Sequence, residues 1–70
     1  MDDVRREVLD DIEAVLARLS RSVRIDFEAA EAWLAWSAMA TAVRAGALGE
    51  DDLERLGSRA RRASGVALVA

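Results

Sequence analysis

Residues 27–45 read FEAAEAWLAWSAMATAVRA, and the interpretation of this stretch decides the fold. Its polar side chains, Glu28, Glu31, Ser37, Thr41 and Arg44, are few and scattered around the helical wheel instead of forming one broad stripe. A helix that is apolar nearly all round is a buried one, so the pattern predicts a core helix. Its two sides differ in bulk: at 100° per residue, Trp33, Trp36, Met39 and Val43 share a bulky side, and Ala35, Ala38, Ala42 and Ala45 a small one. Large side chains fill a wide gap and small ones admit a close backbone. The expectation is one neighbour on each side within the chain, or one neighbour plus a symmetry mate. The uncharged run AWLAWSAMATAV has only 12 residues before Arg44, whereas a membrane-spanning helix needs about 20. No membrane partner is expected.

Signals at both ends delimit this helix. Asp26 is a good N-cap, and Gly46 suits the left-handed position just past the C-terminus. Upstream, Val8, Leu9, Ile12, Val15, Leu16, Leu19 and Val23 recur with the spacing of one helical face, which predicts a first helix over residues 3–22. Asp2 or Asp3 suits its positive end, and Arg18 and Arg21 its negative end. Downstream, Gly49 is the expected N-cap of a third helix over 50–64. Glu50, Asp51 and Asp52 fill its first turn, and Leu48 and Leu53 are placed as a hydrophobic staple. That helix turns Leu53, Leu56, Ala60 and Ala63 inward and pairs Asp51 with Arg55 at i, i+4. Gly57 weakens it by up to about 1 kcal/mol relative to Ala. A short apolar tail from Val66 to Ala70 follows, free to pack across the helices, to add as a strand to a partner, or to fray. The predicted fold is all-α, a compact three-helix unit forming one domain over 1–70.

Size and composition limit what such a unit can do. A 70-residue chain buries only about 60% of its unfolded surface, which leaves it marginal unless it packs closely or associates. A homodimer is therefore expected. Cys is absent, which excludes disulfides and thiolate zinc sites and suits a reducing compartment. The acidic amino end lacks the basic and apolar regions of a signal peptide, so the expected location is the cytoplasm. Arg as the sole basic residue, with abundant Ala, fits GC-rich bacterial or phage coding.

The reactive inventory is short. His, Cys, Lys, Tyr, Asn and Gln do not occur, which removes most general bases and nucleophiles. Asp10 with Asp11, and Glu50 with Asp51 and Asp52, lack calcium-loop spacing and read as solvated helix faces and helix starts. The glycines at 46, 49, 57 and 65 form no phosphate-binding pattern. Neither an enzyme, a cofactor nor a metal site is expected.

One local feature points elsewhere: Arg55, Arg59, Arg61 and Arg62 make a basic patch on a chain of net charge -3. They could serve the helix C-terminus, contact phosphate, or meet an acidic protein. The overall acidity has the wrong sign for generic nucleic-acid binding.

The resulting expectation is a non-enzymatic, acidic, helical protein-binding module, an inhibitor or adaptor acting on a larger bacterial protein complex. In size, charge and helicity alone it resembles phage and mobile-element inhibitors such as anti-CRISPR proteins. Candidate interface residues are Trp33, Trp36, Met39 and Val43, with the two tryptophans either core or anchor, and Asp10 and Asp11 as an acidic face. The alternative is a small nucleic-acid-binding transcriptional regulator that touches phosphate through Arg55, Arg59, Arg61 and Arg62.

Overall fold

The computed structural model describes residues 2–64, which form α1 (Asp2–Ser20), α2 (Phe27–Arg44) and α3 (Glu50–Ser64), with no strand among them. This is the all-α three-helix unit that the periodicity predicts. The apolar tail from Val66 to Ala70 lies outside the described residues.

In α1 the apolar row is Val8, Ile12 and Val15, buried to 4%, 0% and 1% exposure. Leu9, Leu16 and Leu19 are partly buried against the same cluster. The helix stops at Ser20, short of the expected residue 22. There the chain coils into a turn: the Ser22 and Asp26 amides donate to the carbonyls of Leu19 and Ser22, each at 2.9 Å. Val23 continues the apolar spacing of α1 but belongs to this turn.

Both ends of α2 match their sequence signals. Asp26 has extended backbone, and its carboxylate accepts from the amides of Glu28 at 3.0 Å and Ala29 at 3.4 Å. At the other end Gly46 adopts φ 71°, its N–H donates to Val43, and the N–H of Ala47 donates to Ala42. This pair of bonds is a Schellman closure, and its left-handed residue is tolerated because glycine has no Cβ to clash.

The start of α3 follows Gly49, whose carbonyl accepts from the Leu53 amide at 2.9 Å. Leu53, Leu56, Gly57 and Ala60 are buried. Arg55 pairs with Asp52 at 3.0 Å, three residues back, and not with Asp51 as the i, i+4 spacing suggested. Both spacings lie on one helix face, so the shorter pairing is an equally accessible rotamer choice.

The packing order differs from the expectation. α1 lies along both α2 and α3, while α2 and α3 meet only marginally. The central helix is therefore α1, and α2 has one full neighbour instead of two. Ala29, Trp36, Ala40 and Val43 face the core, and the opposite side of α2 is exposed. Leu53, Leu56 and Ala60 of α3 join Val8, Ile12 and Val15 of α1 in the core cluster, so the apolar stripe of α3 is spent on α1.

Gly57 has a packing role that its helix propensity hides. A Cβ built there would lie 3.2 Å from Val8 Cγ2, so the glycine lets α3 approach α1 closely. Gly57→Ala gains helix propensity of up to about 1 kcal/mol but must push Val8 aside. In a Val8→Ala background the same substitution should be more favourable by about 0.5 to 1 kcal/mol, measured as a double-mutant cycle in urea unfolding. Additivity within about 0.3 kcal/mol would show that the two residues do not compete for space.

Candidate functional site

The residues expected to form an interface fall in different places. Val43 is fully buried and Trp36 is 9% exposed, so both belong to the protomer's own core. Met39 packs partly buried against that core, and Trp33 is half-buried. The bulky side of α2 thus faces α1, and most of its area is already spent inside the protomer.

The acidic pair is divided as well. Asp10 is exposed, while Asp11 is half-buried and receives Arg61 Nη1 at 3.5 Å. The basic patch is also committed largely to this chain. Arg55 holds Asp52, Arg61 holds Asp11, and the Arg59 guanidinium carbon lies 5.8 Å from the Trp36 ring centroid. That last geometry is a cation–π contact, with the guanidinium over one face of the ring. Arg62 is exposed. Elsewhere Arg44 reaches Glu13 at 3.7 Å, and Arg18 donates to the Ala63 carbonyl at 2.7 Å. These charges tie α2 and α3 to α1.

Among the described residues, the largest exposed apolar side chains lie on and just before the outer side of α2. Phe27 is 77% and Leu34 65% exposed, and Ile25, in the turn just before, is 87% exposed. Ala38, Thr41 and Ala45 continue the same exposed side. At 100° per residue, Phe27, Leu34, Ala38 and Ala45 lie within about 40° of one another. Glu31 is the charged residue that borders this sector, about 20° beyond one edge. The stripe runs the length of α2, and the side chains opposite it are those buried against α1.

Concave surface adds little chemistry. A groove of about 620 Å³ between the start of α1 and α3 brings together all four candidate arginines, Arg55, Arg59, Arg61 and Arg62, with the carboxylates of Glu7 and Glu54, so its walls carry both signs. A second, of about 480 Å³, runs between α1 and α2 beside Val15, Leu19, Ala32, Trp36 and Ala63. Among the described residues no three carboxylates converge as a metal site would require, and no helix is long and apolar enough to cross a membrane.

The exposed stripe was readable from the wheel, since Phe27, Leu34 and Ala38 oppose Trp36 in the sequence itself. Grouping by size places Ala35, Ala38, Ala42 and Ala45 together, whereas grouping by exposure joins Ala38 and Ala45 to Phe27 and Leu34. Compared with protein-family models, curated proteins and solved structures, the chain matches none. The class defined here is thus structural: a three-helix protein whose second helix has one core side and one open apolar side.

The division of α2 can be checked with its two tryptophans. In single-tryptophan variants, fluorescence of Trp36 (in Trp33→Phe) should be quenched by acrylamide at least about twofold less efficiently than that of Trp33 (in Trp36→Phe), because a buried ring is shielded from the quencher. Equal quenching would mean that Trp36 is not covered by α1 and Arg59.

Proposed function

We propose that this chain is a non-catalytic protein-binding module, an inhibitor or adaptor, whose contact surface is the outer side of α2. The observation that carries this reading is the exposure of Ile25, Phe27 and Leu34 at 87%, 77% and 65% on and just before one helix. Scattered single apolar residues on a surface are ordinary, but an aligned stripe of large ones is a mark of an interaction site. Aromatic and long aliphatic side chains supply the desolvated centre of most interfaces, and here they stand ready at the helix start. Ala38 and Ala45 give the partner close approach along the second half. An 18-residue helix suits a helix-in-groove or helix-on-helix contact read at i, i+4 and i+7.

The committed arginines support the same choice over nucleic acid. Three of the four candidates at 55, 59, 61 and 62 have partners within this chain, so phosphate contact would have to displace them. The short reactive inventory supports a binding role over catalysis.

The test is capture of partners from a bacterial lysate on the tagged protein, with Leu34→Glu as the contrast and circular dichroism as the check on folding. Leu34 is exposed, so the substitution should leave helicity unchanged, while a charge at the centre of the stripe should reduce recovery of a nuclease-resistant protein at least about tenfold. Capture indifferent to Leu34→Glu would overturn the assignment of this surface. Recovery that vanishes with nuclease or high salt would transfer the function to the arginine patch.

A further inference from the structure

We propose that a second copy of this chain occupies the α2 stripe, forming an antiparallel, two-fold symmetric and reversible homodimer; this rests on the reading of the stripe as a contact surface. In a two-fold interface the same patch serves both partners, so if residue i meets residue j, then j meets i. A patch can do this without voids only when its large residues oppose its small ones.

The α2 stripe has that arrangement. With the two-fold axis level with Trp36, residues equidistant from it along the helix come opposite one another. Phe27 then meets Ala45 of the second copy, and Leu34 meets Ala38 of the second copy, each pairing occurring twice. Phe27 and Leu34 lie in the first half of α2, while Ala38 and Ala45 lie in and just past the second, all on the exposed side. Both pairs lie near the midline of the stripe, Leu34 with Ala38 at the middle of its length and Phe27 with Ala45 at its ends. Glu31 and Thr41 fall toward opposite edges of it and remain in water at the rim. The antiparallel direction also sets each helix's positive end beside the other's negative end.

Area sets the strength of the association. At 1.5 Å per residue α2 offers a stripe about 27 Å long and about 10 Å wide, and a buried Phe adds some 150 to 250 Å². The two copies together bury roughly 1,000 Å². This reaches the size of a specific interface but falls short of the roughly 1,600 Å² of a standard one. An interface of this size suits a weak dimer, with a Kd of about 100 μM, populated and dissolved as concentration changes, and the free protomer remains open to other proteins.

Sedimentation equilibrium of the intact protein from about 10 μM to about 1 mM tests this, spanning the range over which a dimer with a Kd of about 100 μM dissociates. Leu34→Ala leaves a gap opposite Ala38, and Ala38→Leu drives Leu against Leu. Each alone should weaken association at least about tenfold, as removal or collision of several buried methylene groups implies. Combining the two reverses the large-to-small order within each pair and should restore association to within about threefold of wild type, because the cost belongs to the pair and not to either residue. Positions 34 and 38 are both exposed in the protomer, so all three variants should keep wild-type helicity by circular dichroism.

A wild-type protein that stays monomeric at about 1 mM overturns the second copy as occupant. So does a double variant no stronger than the weaker single one, which would deny the register. Leu34→Glu separates these failures from failure of the parent reading. If it still abolishes capture of a protein by a monomeric chain, the stripe remains a contact surface with a different occupant. If it changes neither capture nor mass, both readings fall.

Discussion

The row Val8, Ile12 and Val15 on α1 is the constraint on which the rest of this structure depends. These three side chains are buried by α2 and α3 together, and α2 and α3 scarcely touch each other. Neither outer helix can bury its apolar stripe without α1, so the fold is a spine with two flanks. In a chain this small, loss of that shared row removes the cover of both flanks at once. The charged contacts repeat the pattern: Glu13 holds Arg44 of α2, Asp11 holds Arg61 of α3, and Arg18 reaches the Ala63 carbonyl near the end of α3.

Much of this was legible in the sequence because it is encoded locally. The spacing from Val8 to Leu19, the Asp26 cap, the Gly46 closure and the acidic first turn of α3 each involve residues within a few positions of one another. Element bounds came out within two residues, apart from the turn that takes in Val23. The order of packing was not legible, because it depends on which stripes meet across distances that a helical wheel does not describe. Gly57 illustrates the loss. As a residue in a helix it is a weakness, and only the approach of Val8 from another element gives it a purpose. The arginine patch illustrates the converse: four basic residues close in sequence do line one groove, but Asp52, Trp36 and Asp11 engage three of them, which the sequence spacing does not show.

The same logic explains why, of the two arrangements expected for α2, the one with a neighbour on each side within the chain does not occur. Its composition supports burial on both sides, and α1 covers only one. The chain therefore keeps large apolar groups at Phe27 and Leu34 in water, which costs solubility and contributes nothing to the protomer's core. A stripe kept under those conditions is the reason for placing function on α2 instead of on the grooves or the charged faces. The self-matching order of large and small residues along it is the ground for proposing another copy of the chain as its occupant, and the modest area is the ground for proposing that the association is reversible.

The most direct test of this account is nuclear magnetic resonance of the dilute protein with a soluble paramagnetic probe, which relaxes protons in proportion to their exposure. The account predicts strong enhancement for Phe27, Leu34 and Ala38 and almost none for Ile12, Val43 and Leu53, so that α2 divides cleanly along its length. Leu34 as protected as Val43 in the dilute protomer would contradict it, because the outer side of α2 would then be covered within the chain and no open stripe would exist.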